Sequence, residues 1–134
     1  IYNIALSYAY LAGGDFDHPR KQILSVIAHA MIEAPFYVAG TKRLDTIIME
    51  ETKGRILAKL GAESVYCMSI MDKGIGIAMK TEDGAYRALD CVVPDLLHKH
   101  GYIDEVELKA IKSRLNLHIK NHRGQIVGEM RTVI

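Results

Sequence analysis

Between Arg55 and Lys80 the apolar residues stop recurring at intervals of three and four and begin to alternate. Three runs of strand length follow one another there, RILAKLG, SVYCMSIM and GIGIAMK, separated by Ala-Glu after Gly61 and by Asp72 to Gly74. Connections that short join antiparallel neighbours, because parallel strands need a crossover of a dozen residues or more. The chain is therefore held to an antiparallel meander, and the other elements must pack on it, which is an α+β arrangement.

On both sides of the meander the spacing is helical. IYNIALSYAYLA carries Ile4, Ala5 or Leu6, Tyr8 and Leu11 on one face from its first residues. The chain thus opens at Ile1 within an element and without an initiator methionine, and it reads as a fragment or a processed chain; a natural start at a helix is the plainer alternative. A glycine stop at Gly13-Gly14 precedes a second helix with Asp17 or His18 as its expected cap and Pro19 in its first turn. Ile23, Ile27, Ala30 and Met31 form its apolar face, and Ala34-Pro35 ends it. A turn at Gly40, a Thr41 cap and a short helix through Leu44, Ile47 and Ile48 come next, closed at Gly54. After the meander, Ala85, Ala88, Leu89, Val93 and Leu97 mark a helix that Pro94 is expected to kink or split. Asp104 and Glu107 give the D-x-x-E start of a last helix through Ile111 and Leu115, and the tail with Gly124 and Gly128 is a candidate edge strand. No repeat, low-complexity tract or linker divides residues 1–134, so one domain is expected.

Composition removes several classes of function. Of 134 residues, 49% are hydrophobic and 25% charged, the balance of a soluble globular chain. Seventeen basic against 16 acidic side chains leave a net charge of +1, which provides no field for tracking a phosphate backbone, and no nucleic-acid partner is expected. No apolar run reaches the roughly 18 residues of a membrane span, and no basic start with an apolar stretch marks a signal peptide. Cys67 and Cys91 are too few and too far apart for a disulfide scaffold or a zinc knuckle; they are expected as small buried hydrophobes in a reducing, cytoplasmic compartment.

One residue stands out in the first strand. Alternation puts Arg55, Leu57, Lys59 and Gly61 on one face and Ile56, Ala58 and Leu60 on the other, so Lys59 points away from the more apolar side. It is either an exposed side chain on a half-wet sheet or a catalytic amine facing a cleft, with Gly61 leaving room for a substrate to approach the backbone. The other polar groups are plainer. His118 and His122 are four apart but lack the glutamate of a zinc-binding helix, and His98 and His100 sit near a helix end as structural residues. GIGIAMK lacks the turn into a helix that a phosphate loop requires.

Residues Val38 to Gly84 carry an ordered set of motifs. V-A-G-x-x-R-x-D is present as Val38, Ala39, Gly40, Arg43 and Asp45; K-x-G-A-E-x-x-Y as Lys59, Gly61, Ala62, Glu63 and Tyr66; and G-x-G-I-A-x-K-x-x-D-G runs from Gly74 to Gly84. In these the chain resembles the carboxy-terminal half of the asparaginase II family, the class 3 asparaginases related in fold to serine β-lactamases and glutaminases. The resemblance covers nearly the whole chain, weakly beyond about Gly101, and Ser64 stands where many relatives have glycine.

That resemblance implies an amidohydrolase working through serine and lysine, with asparagine as its small-molecule substrate. Lys59 takes the position of the strand-borne catalytic lysine, and such a role needs an amine partly desolvated or close to another cation. The family's nucleophilic serine and its zinc ligands map before Ile1, so residues 1–134 are expected to be the carboxy-terminal part of a larger asparaginase domain, inactive alone, with no cofactor or metal of their own. Association with the missing amino-terminal segment, or with a second copy as a homodimer, is the expected consequence of an exposed core face. Arg43 is either a partner for the substrate's α-carboxylate or, with Asp45, a helix-start charge pair. Glu63 either binds the α-amino group or closes a hairpin, and Gly61 with Ala62 would offer backbone N–H groups to the amide oxygen. A non-catalytic ligand-binding or dimerisation module, and a glutaminase, are the alternatives; the latter differs by one methylene, worth ~1–3 kcal/mol in an apolar pocket.

Overall fold

The three alternating runs pair as their short turns require. In the computed structural model, which describes residues 1–14, 17 and 19–134, β1 (Ile56–Leu60), β2 (Val65–Ile70) and β3 (Ile75–Lys80) form an antiparallel sheet in the order β1-β2-β3. Lys59 lies opposite Cys67, and Cys67 opposite Ala78. A single 3₁₀ turn, Ala62–Ser64, joins β1 to β2, with Glu63 and Ser64 in left-handed backbone conformations. The buried Ser64 hydroxyl holds that turn by donating to the Ala85 carbonyl at 3.1 Å.

Among the described residues six helices accompany the sheet: α1 (Tyr2–Leu11), α2 (Lys21–Glu33), α3 (Pro35–Ala39), α4 (Leu44–Glu51), α5 (Arg87–Lys99) and α6 (Glu105–Arg114). One sheet face carries Ile56, Ala58, Tyr66, Met68 and Ile70 into a core with Leu44, Ile47 and Ile48 of α4, Leu89, Val93 and Leu97 of α5, and Ile111 of α6. At about 25 cal/mol per Å² of apolar surface removed from water, this layer is the main stabilising term. The opposite face lies beneath α1, where the Ser69 hydroxyl donates to the Tyr8 carbonyl at 2.7 Å. Gly76 is required beneath the same helix, since a Cβ there would fall inside the contact radii of Ala5 O and Ala9 N. Both faces are therefore covered, and Leu57, on the side of Lys59, is fully buried. The alternation on β1 separates two covered faces, not a dry face from a wet one.

Several local expectations need correction. α2 is preceded by Arg20 at the cap position, not Asp17, and His18 lies outside the described residues. Pro35 ends α2 and also opens α3, a place where its missing N–H leaves no bond unmade. α4 begins after Arg43, not at Thr41; Thr46 instead fixes the α3–α4 corner by donating to the Gly40 carbonyl at 2.8 Å. Pro94 sits inside α5 without splitting it. Asp104 and Glu107 do form a reciprocal capping box at the start of α6. The tail adds no strand to the main sheet, because β4 (His118–Lys120) and β5 (Ile126–Glu129) pair with each other. The Asn121 side chain accepts the N–H groups of Arg123 and Gln125, and this local turn decides the pairing.

Candidate functional site

The end of β1 and the start of α4 meet around one buried carboxylate. Asp45, in the first turn of α4, is 2% exposed, and its Oδ2 accepts the Leu60 N–H at 3.0 Å. A helix N-terminus favours an anion there. The same oxygen lies 3.9 Å from Lys59 Nζ, which also donates to the Leu60 carbonyl at 2.7 Å. Asp45 thus fixes both the strand end and the amine. The Lys59 side chain, 39% exposed, reaches an open cleft of about 370 Å³.

The walls of that cleft come from four elements. Val38 and Ala39 close it from α3, Arg43 and Asp45 from the start of α4, Lys59 to Ala62 from β1 and its turn, and Tyr86 from the residue before α5. Lys59, Arg43, Asp45, Gly61 and Ala62 are accordingly brought together. Glu63 is not in the wall; it is exposed at the turn, where its carbonyl accepts a hydrogen bond from Lys80 Nζ at 2.6 Å. The Gly61 N–H is also committed, donating to the Val65 carbonyl at 2.7 Å.

A second, smaller pocket of about 90 Å³ opens off the same residues and shares Arg43, Asp45, Leu60 and Tyr86 with the cleft. Tyr66 and Asp90 also line it. The Tyr66 hydroxyl is fully buried against the Asp45 carboxylate, without a well-aligned hydrogen bond among the described residues. Burial pushes the pKa of this phenol well up, and Asp45 and Asp90 add to the shift. Burial likewise raises the Asp90 carboxyl, Arg43 pulls it down and Asp45 raises it. Asp90 could have been noticed in the sequence, since an acid at 90 shares a helical face with Val93 and Leu97. Tyr66 stands in the K-x-G-A-E-x-x-Y motif, but nothing in the spacing says that its hydroxyl lies against Asp45.

Tyr8 of α1 lies close enough to feel the same charges. Its phenol is pushed up to about 12 by burial first, then by Cys67 and Asp45. Burial raises the Cys67 thiol too, which keeps it protonated and a poor nucleophile near neutral pH. Three of the histidines lie away from the cleft: His98 Nε2 is 3.4 Å from Glu105 Oε2, while His118 and His122 are exposed in β4 and its turn. Among the described residues no cluster of acidic, histidine or cysteine side chains is arranged to hold a metal ion, and no helix is long and apolar enough to cross a membrane.

Chemically, the cleft presents two cations, Lys59 and Arg43, around a carboxylate, with backbone of the β1–β2 turn at its edge. It can bind an anion at Arg43 and place an amine beside a reacting carbonyl. The L-asparaginase II family model matches residues 1–132. No curated protein matches the chain.

Proposed function

The chain belongs to the L-asparaginase II family, an asparaginase-type class of hydrolase, and from that premise we propose that it forms one wall of an active site that converts asparagine to aspartate and ammonia. The observation that carries the reading is the Lys59 amine, anchored by Asp45 and the Leu60 carbonyl at the edge of a cleft that also holds Arg43. Among the described residues the walls of that cleft include no serine, threonine or cysteine, while Ser64 and Ser69 are buried and donate to backbone carbonyls. The nucleophile is accordingly assigned to a serine outside these residues, in a serine-lysine arrangement of the β-lactamase-like kind.

In this reading the serine proton passes to a lysine amine as Oγ attacks the side-chain amide carbon. The C–N bond then breaks, the leaving nitrogen takes a proton to depart as ammonia, and water cleaves the resulting ester to release aspartate. Arg43 pairs with the substrate's α-carboxylate. Ala62, beside the cleft, is the better placed N–H for the amide oxygen, since that of Gly61 is already used within the turn. Exposed Ile23, Val26, Ile27, Phe36 and Tyr37 on α2 and α3 support association of this surface with the segment that carries the serine. The free cysteines support a reducing, cytoplasmic setting.

The test is ammonia release from asparagine and glutamine by the full parent open reading frame, wild type against a folded Lys59→Met variant. Asparagine turnover that collapses in the variant is expected. Equal activity in the two proteins would remove Lys59 from the chemistry, and turnover by residues 1–134 alone would refute the external nucleophile.

A further inference from the structure

Two cations line the open cleft, and neither is saturated by the protein. Lys59 Nζ donates to the Leu60 carbonyl at 2.7 Å and stands 3.9 Å from Asp45 Oδ2, beyond hydrogen-bond reach. An ammonium has further N–H donors, and this one belongs to a side chain that is 39% exposed to the cleft. Arg43 is freer still. Among the described residues its guanidinium makes no ion pair or hydrogen bond, and Asp90, in the neighbouring pocket, feels its charge only through space. The backbone presents it there: Lys42 has φ +58, a region disfavoured for a residue with a Cβ, and Arg43 follows in extended geometry as the cap of α4, lining both spaces. Around the two spaces Lys42, Arg43 and Lys59 face Asp45 and Asp90, so the lining carries an excess of one positive charge. With about 370 Å³, the cleft has the size of a site for a small molecule.

We propose that the cleft binds four-carbon dicarboxylates more tightly than the amide substrate, Arg43 taking one carboxylate and Lys59 the other. The identity of the natural diacid rests on the amidohydrolase reading: hydrolysis replaces the side-chain amide by a carboxylate, so aspartate, the product, is the diacid that the site meets. Asparagine offers an anion to Arg43 but only a neutral carbonyl oxygen to Lys59. Aspartate offers an anion to each, and a charge-assisted hydrogen bond is roughly twice as strong as a neutral one. Its single net negative charge also cancels the excess of the lining, which asparagine, a neutral zwitterion, leaves in place. Aspartate therefore remains in the cleft after the ester is cleaved and competes with the next asparagine. The site is restrained by its own product, and other four-carbon diacids act in the same way.

Calorimetric titration of the chain with succinate and with succinamate isolates the second carboxylate, since the two ligands differ only in carboxylate against amide. Succinate is expected to bind about ten-fold more tightly, and aspartate to lead asparagine by a similar factor. In Lys59→Met, or in Lys59→Gln should Met disturb the strand, the preference should fall to within about two-fold because the diacid alone weakens, whereas Arg43→Ala should weaken all four ligands. Equal binding of succinate and succinamate by wild type, or a preference unchanged in a folded Lys59 variant, would overturn the inference, and so would binding of none of the four. Ammonia release by the full parent open reading frame tests the amidohydrolase reading separately. Turnover there without a diacid preference in the chain leaves that reading standing, while a diacid preference without turnover keeps the dicarboxylate site and removes aspartate as its product. Succinate should inhibit the turnover competitively, and undiminished turnover at a concentration that saturates the chain would overturn the product restraint.

Discussion

Asp45 and Lys59 are joined through a single oxygen: Asp45 Oδ2 lies 3.9 Å from Lys59 Nζ while accepting the Leu60 N–H at 3.0 Å. The carboxylate is buried and the lysine is partly exposed, so the bond to the backbone is the better shielded of the two. Removing it should loosen the strand end as well as free the amine. Asp45→Ala is expected to lower stability by about 1–3 kcal/mol, with a smaller loss in Asp45→Asn, whose amide oxygen can still accept from Leu60. Urea unfolding of the two variants checks this. Wild-type stability in Asp45→Ala would mean that the carboxylate does not fix the end of β1.

Gly76 offers a sharper steric test. Its missing Cβ is what allows α1 to lie on β3, since the nearest atoms are helix backbone, which cannot rotate away as a side chain can. Gly76→Ala should displace α1 and cost about 3 kcal/mol or more. Because α1 also carries Tyr8 towards Cys67 and Asp45, the variant should expose those groups. Faster thiol labelling of Cys67 is the expected readout, and an unchanged labelling rate would count against this packing.

Alkaline pH probes the buried phenols. The Tyr8 pKa is about 12 in the folded chain against 10.0 for the free side chain, and complete burial raises that of Tyr66 as well. A proton held more tightly in the native state stabilises it below the unfolded pKa, and this contribution is lost as pH climbs through the folded value. Stability should therefore fall between pH 10 and about 12, less steeply in Tyr8→Phe. A spectroscopic titration in which all seven tyrosines ionise near pH 10 while the chain stays folded would contradict it.

The parts of this architecture that sequence made legible are those governed by neighbours in the chain. Short turns at Ala62–Glu63 and Asp72–Gly74 required antiparallel pairing, and the D-x-x-E of Asp104 and Glu107 required a helix start, because both signals act over a few residues. The tail was harder, since whether a strand joins a distant sheet or folds back depends on a turn whose strength comes from the Asn121 side chain. In the site, the motif residues Arg43, Asp45, Lys59 and Ala62 converge, whereas Glu63, adjacent in sequence, turns outward because its own backbone makes the corner. Asp90 could be noticed on its helical face, but that it meets Tyr66 and Asp45 at one pocket was not legible. They come together because residues of α5, α4 and β2 share one core and one pocket wall, a meeting of segments separated in the chain.

That packing leaves a last expectation about stability. The Tyr66 hydroxyl is buried against the Asp45 carboxylate, and Phe at this position keeps the ring that fills the core between Met68 and the α4–α5 layer. Tyr66→Phe loses the interaction with Asp45 and should lower stability by about 1 kcal/mol. Thermal melts of the two proteins measure it. A variant more stable than wild type would show that the buried hydroxyl is unsatisfied and burdens the fold.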